Sequence, residues 1–250
     1  MGSLVHVSLN KRDIQGVVLE EVSKPQFECS SINVTCKSFY TSKTLELARF
    51  IAEYYVCSLG EALSLFVPSS SKALHVNEKI TTDIVLSPEQ EKAYAFALSH
   101  DASLLFGDTG SGKTEVYMRL VSEMLNQGKS AIVLVPEISL TPQMIERFKG
   151  RFGENVALFH SRLSDGERFD EWYRIKEGKV KLVIGARSAL FLPLQNLGLI
   201  IIDEEHENTY KSEHNPKYHT REVSEFLCEL KNCKLVLGSA TPSIESYYKA

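Results

Sequence analysis

Gly107-Asp108-Thr109-Gly110-Ser111-Gly112-Lys113-Thr114 fits the pattern GxxxxGK[ST] in full. It follows an apolar strand candidate, Leu104-Leu105-Phe106, and opens a stretch of helical spacing, the setting the pattern requires. Glycines let the backbone curl until successive N–H groups face one point, and a helix N-terminus adds partial positive charge there. Such a loop cradles phosphate oxygens. Lys113 is then placed to reach the β- and γ-phosphates of a nucleotide, and the Thr114 hydroxyl to ligate Mg²⁺.

The rest of the chain agrees with the lobe such a loop needs. From Leu86 onward strand and helix patterns alternate, which predicts parallel βαβ units. Strands are expected at 104–106, 131–135, 156–159, 180–184, 197–202 and 234–237, with helices at 113–127, 140–151, 167–177 and 221–230. The run Leu199-Ile200-Ile201-Ile202 is apolar throughout, as in a sheet covered on both faces. It leads into Asp203-Glu204-Glu205-His206. A carboxylate at the end of a buried parallel strand lies where α/β sheets place ligand chemistry. Asp203 is the expected Mg²⁺ acid and Glu204 the general base on an attacking water. The competing explanation, a solvated acidic helix start, does not account for the apolar strand before it.

Before Leu86 the chain reads differently. Residues 14–19 and 32–35 look strand-like, and Leu45, Ala48, Ile51, Ala52 and Tyr55 predict one helix over 45–65. The polar stretch Pro68-Ser69-Ser70-Ser71-Lys72 punctuates the chain as a linker does. The expected organisation is therefore a small mixed α+β region at 1–68, a linker at 69–85 and a RecA-like P-loop lobe at 86–250, its parallel sheet covered by helices.

Composition bounds the alternatives. The 250 residues are 43% apolar and 24% charged, in the globular range. No apolar run reaches the roughly 18 residues of a membrane span, and no signal-peptide pattern opens the chain, so a cytoplasmic location without membrane partners is expected. The five cysteines form no CxxC pair and read as reduced thiols. The net charge of −4 argues against a wholly basic nucleic-acid coat but leaves a local binding face open.

The ordered motifs carry a resemblance over Leu86 to Ala250. Gly107–Tyr117, Val135–Gln143, His160-Ser161 with Glu167-Arg168, Gly185–Phe191, Asp203–His206, Tyr210-Lys211, Tyr218–Arg221 and Gly238–Ser243 together resemble superfamily-two helicases of the DExH (DEAH-box) type, and specifically the bacterial primosomal replication-restart helicases. The resemblance implies an ATP- and Mg²⁺-dependent DNA helicase that loads on stalled forks and single-stranded DNA, with primosome and single-strand-binding proteins as partners. It implies that Gln90 reads adenine, the alternative being an exposed Gln at a helix start. It implies that His206, Ser239 and Thr241 couple the γ-phosphate to DNA and lobe motion. Thr141, Arg187 and Ser188 fall in segments that touch the DNA backbone, which hydroxyls and cations suit; outside the family Arg187 would be a solvated loop residue. Tyr210 and Lys211 match an aromatic-rich loop that stacks on bases, or else form a partly buried surface loop.

Residues 17–68 resemble the rear of a domain that binds the 3′ end of a nascent strand. Asp108 and Ala186 depart from the Val and Thr of the family pattern, which leaves the phosphate loop intact and weakens one DNA contact. The family's second motor lobe, its arginine finger and its zinc region, which would hold the only zinc, are expected outside this chain, leaving an ATP-binding half that does not unwind alone. Two other functions fit the residues: a DExH translocase on RNA, and a nucleotide-dependent scaffold that never hydrolyses ATP. A small-molecule kinase would not explain Asp203–His206 followed by Gly238-Ser239-Ala240-Thr241.

Overall fold

The computed structural model describes residues 2–9, 12–23, 32–38, 40–67 and 85–250. They form two compact units, Met1–Leu63 and Ser64–Ala250. The segment expected to be a linker, 69–85, lies outside the described residues apart from Val85.

In the first unit β1 (Ser3–Leu9) pairs antiparallel with β2 (Arg12–Val17) and with β3 (Ile32–Ser38), giving the order β2-β1-β3. No strand is expected before residue 14, although Val5, Val7 and Leu9 alternate as a strand requires. The single helix expected over 45–65 is two, α1 (Ser42–Tyr54) and α2 (Leu59–Ser64). Val56 adopts a left-handed φ of 51°. Beyond it Ser58 and Glu61 form a reciprocal cap, Ser58 N–H donating to the Glu61 carboxylate at 2.9 Å and Glu61 N–H to Ser58 Oγ at 3.2 Å. That spacing is a helix-start signature, so the break was legible. Leu45, Ala48, Ile51 and Ala62 are buried, as is Tyr40, whose hydroxyl donates to the Leu63 carbonyl and whose pKa burial pushes up to about 12.

The second unit is built on six parallel strands: β4 (Ala102–Phe106), β5 (Ser130–Leu134), β6 (Val156–Phe159), β7 (Leu182–Gly185), β8 (Leu197–Ile202) and β9 (Lys234–Ser239). Their order is β4-β9-β8-β5-β7-β6. The helices are α3 (Pro88–Ser99), α4 (Lys113–Asn126), α5 (Pro142–Phe152), α6 (Asp165–Lys176), α7 (Thr220–Lys231) and α8 (Ile244–Lys249). Four were expected within a few residues; α3 was expected only as the helix start offered for Gln90, and α8 was not expected. The parallel RecA-like sheet and the mixed region before it agree with the expected fold class.

Every residue of β8 is buried, as its apolar run demanded. α4 sets Val116, Tyr117, Leu120, Val121 and Met124 against the sheet, at about 1.5–3 kcal/mol for each large apolar side chain removed from water. Because all six strands are parallel, the loops after them gather on one edge, and every motif singled out above except Gln90 lies along it or follows from it.

Candidate nucleotide site and adjoining groove

The phosphate loop leaves β4 after Phe106. Gly107 N–H donates to the Ser239 carbonyl at 3.2 Å, fastening the loop to the end of β9. Gly110 and Gly112 hold φ of 83° and 84°, which L side chains rarely adopt. At Gly112 a Cβ would also overlap the Gln90 amide. Lys113 begins α4, and its ammonium donates to the Gly107 carbonyl at 2.7 Å and the Asp108 carbonyl at 3.3 Å. It also stands 3.9 Å from Glu204 Oε1, so the loop and the acidic turn after β8 meet.

Gln90 spends both ends of its amide. Oε1 accepts from Ser87 N–H in the cap of α3, and Nε2 donates to the Ser111 carbonyl at 3.1 Å. In this arrangement it props the phosphate loop, with one amide N–H and one oxygen lone pair left over.

Asp203 is held from two sides by buried tyrosines. Tyr117 OH donates to its Oδ1 at 2.9 Å, and Tyr210 OH to its backbone carbonyl at 2.6 Å. Burial pushes the Asp203 carboxyl up, against the Tyr117 hydrogen bond and the Lys113 charge that favour ionisation. Burial beside these carboxylates drives both tyrosine hydroxyls well above their ordinary range, so they act as fixed donors. Glu204 has a φ of 46°, a left-handed conformation rare outside glycine and costing about 1–3 kcal/mol where surroundings enforce it. Its carboxylate lies between the Lys113 ammonium and His206, whose Nδ1 is 3.7 Å from Oε2. His206 also bridges to the segment after β9: Nδ1 is 2.7 Å from Ser239 Oγ and Nε2 is 3.3 Å from Thr241 Oγ1.

Along the same edge, beyond β8, a cavity of about 560 Å³ opens among Pro136, Glu137, Arg187, Ser188, Thr209 and Lys211. Arg187 is not a free loop cation. Its Nη1 donates to the Thr209 and Lys211 carbonyls at 2.9 and 2.6 Å, fixing the wall that Lys211 presents to solvent. Thr141 caps α5, accepting from Met144 N–H at 3.3 Å, and is exposed. Tyr210 corrects the stacking expectation. It is 1% exposed, turned inward to the Asp203 carbonyl, and Tyr218 is buried edge-on to Phe191. Neither ring offers a face to a base.

The residues fit Mg·nucleotide. The curled loop presents N–H groups at the start of α4, and Lys113, the Thr114 hydroxyl and the Asp203 carboxylate are the donor types a metal–phosphate group takes. Among the described residues no cluster of His, Cys, Asp and Glu is suited to a structural metal, and no helix is long and apolar enough to cross a membrane.

A P-loop lobe with an acidic DExH turn bonded to the segment after the next strand defines a class, and the chain belongs to it: the DEAD/DEAH box helicase family model matches residues 87–250. A second model, the 3′DNA-binding domain (3′BD), matches residues 1–68. The chain is 48% identical over 249 residues to the replication restart protein PriA of Helicobacter pylori strain J99, covering 99% of this chain and 40% of that protein. It is 54% identical over 178 residues to the replication restart protein PriA of Bacillus subtilis strain 168, covering 69% and 22%. The chain thus spans two fifths or less of these relatives. The solved UvsW helicase of bacteriophage T4 overlaps 77% of this chain and 60% of its own, at 18% identity and a TM-score of 0.48.

Proposed function

We propose that this chain is the nucleotide-binding motor part of an ATP-dependent DNA helicase of replication restart and primosome assembly. The observation that carries the reading is the approach of Lys113 to Glu204, 3.9 Å across two loops that the sequence separates by most of the lobe. The backbone donors of Gly107–Gly112 and the Lys113 ammonium receive the phosphates; Glu204 takes the proton of the attacking water and is oriented by Lys113 and His206. Thr114 and Asp203 would hold Mg²⁺, which when bound offsets phosphate charge. Gln90 reads adenine with the amide positions left over from Ser87 and Ser111, and His206, Ser239 and Thr241 carry the state of the site into the segment after β9.

The groove of Arg187, Ser188 and Lys211, with Thr141 nearby, binds the nucleic-acid backbone; a match to a 3′DNA-binding domain supports DNA over RNA. Residues 1–68 act as that end-binding region, 69–85 as its linker and 86–250 as the motor. Forked and single-stranded DNA are the ligands, primosome and single-strand-binding proteins the partners, and the cytoplasm the location. Mg·ATP is expected to raise the melting temperature of the chain and leave Lys113→Ala unmoved, by mass action on the folded state. A wild-type chain that no nucleotide stabilises would overturn the reading.

A further inference from the structure

Glu205, the third residue of the acidic turn, is used by none of the steps above, yet its side chain is fully buried. Its carboxylate accepts three hydrogen bonds. Ser243 N–H reaches Oε1 at 2.6 Å, and the hydroxyls of Ser243 and Ser246 reach Oε2 at 3.1 and 2.8 Å. Arg221 Nη1 stands 3.6 Å from Oε2 and donates to both serine oxygens, at 2.9 and 3.0 Å. The proton inventory closes. A carboxylate only accepts, so each serine spends its one hydroxyl hydrogen on Glu205 and receives Arg221 on a lone pair. The main chain joins in, with Glu205 N–H on the Gly238 carbonyl at 3.0 Å.

A buried ion pair adds little net stability over an apolar replacement, so the value of this cluster lies in what it joins. It fastens the turn after β8 to the cap of α8 and to the first turn of α7. The phosphate loop is bonded to the same segment through Gly107 and Ser239, and His206 grips it from the other side. We propose that Glu205 is a positioning residue: it clamps residues 239–246 to the acidic turn, so that nucleotide at the phosphate loop is felt by α8, a helix that contributes nothing to the site. This rests on the nucleotide-site reading and extends it to regulation of the same site.

The test is amide hydrogen exchange across 244–250 with and without Mg²⁺ and a non-hydrolysable ATP analogue, beside a thermal shift on the same samples. Nucleotide is expected to slow exchange there about tenfold in the wild type. In Glu205→Gln, which keeps the size but offers one acceptor oxygen for two, the slowing falls below about twofold while the thermal shift persists. Ser246→Ala, a milder variant should Glu205→Gln fold poorly, reduces it to about threefold. A merely structural Glu205 would speed exchange equally in both states and leave the nucleotide-dependent difference intact, which overturns the clamp. So does a wild type whose thermal shift reports bound nucleotide but whose α8 does not respond. A wild type without any thermal shift removes the nucleotide site itself, and the clamp with it.

Discussion

The edge formed by the ends of the six parallel strands has two halves, and they are built on opposite principles. After β4, β9 and β8 charged and titratable side chains are bonded within the protein: Asp203 by two tyrosines, Glu205 by three donors with the Arg221 guanidinium 3.6 Å away, His206 by Ser239 and Thr241, Lys113 by the loop it closes. After β5 and β7 the cavity wall leaves Glu137, Thr209 and Lys211 exposed, its parts tied by Arg187, which donates to the Thr209 and Lys211 carbonyls, and by Ser161, which donates to the Glu137 carboxylate. A site for charge that develops during a reaction must be organised beforehand, because reorganisation at that moment would add to the barrier. A surface for a polyanion need not be, since its contacts exchange against counterions. Residues 203–211 run from one half into the other, and Tyr210 closes that path by returning to Asp203.

If the first half is organised around Lys113, losing it has the largest effect. At a nucleotide concentration near a hundred times Kd the wild type should gain about 2.7 kcal/mol of stability and Lys113→Ala almost none, while nucleic-acid binding stays as it was. A variant that lost both would show the halves are not separable; calorimetric melting and fluorescence anisotropy decide it. Gly238→Ala comes next. A Cβ there would occupy the Tyr117 hydroxyl, so ring and strand must part, at about 3 kcal/mol of stability in denaturant melts.

How much of this was legible follows the same division. The phosphate loop, the strands of the lobe and the roles offered by Asp203, Glu204 and His206 follow from short local patterns. What stayed hidden are partners distant in sequence. Glu205 looks like one more solvated acid until serines 38 and 41 residues later fold over it. Tyr117 lies on the apolar face of α4 by its spacing, but nothing in that spacing points its hydroxyl at a carboxylate 86 residues away. Tyr210, an aromatic in a polar stretch, invites a stacking role; the Asp203 carbonyl draws it inward instead. Gln90 was legible as a helix-start residue, and its bond to Ser111 was not.

Tyr117→Phe isolates one bond in the organised half. The ring still fills the core, so only the donor to Asp203 is lost. Hydrogen bonds to charged groups are worth about 1.5–3 kcal/mol and neutral ones about 1, so the cost depends on whether Asp203 is ionised. Its pKa is raised by burial above the usual 3.8, so its contribution to stability is present below 3.8 and lost as pH rises through the folded value. Removing Tyr117 OH raises that value further. The variant should therefore lose about 2 kcal/mol at neutral pH and about half as much below pH 3.8. Equal losses at both would show that the bond does not discriminate the ionised form. A weaker Mg²⁺ dependence of nucleotide binding is expected alongside.

Lys211→Ala probes the open half and carries the smallest effect. Lys211 is exposed, and its carbonyl rather than its ammonium is what Arg187 holds, so truncation leaves the wall standing. A lysine that meets one phosphate contributes through counterion release. Its loss should weaken DNA binding by less than about tenfold at moderate salt, equally for all sequences, and lower the slope of log K against log salt by about one. Melting and nucleotide affinity should not move. Arg187→Ala, by contrast, frees the Thr209 and Lys211 carbonyls and with them the path to Tyr210 and Asp203, so it should disturb both halves. If Lys211→Ala alters nucleotide affinity, or if Arg187→Ala changes nothing beyond the salt slope, the division between an organised and an open half is misplaced, and its boundary lies on the other side of residues 208–211.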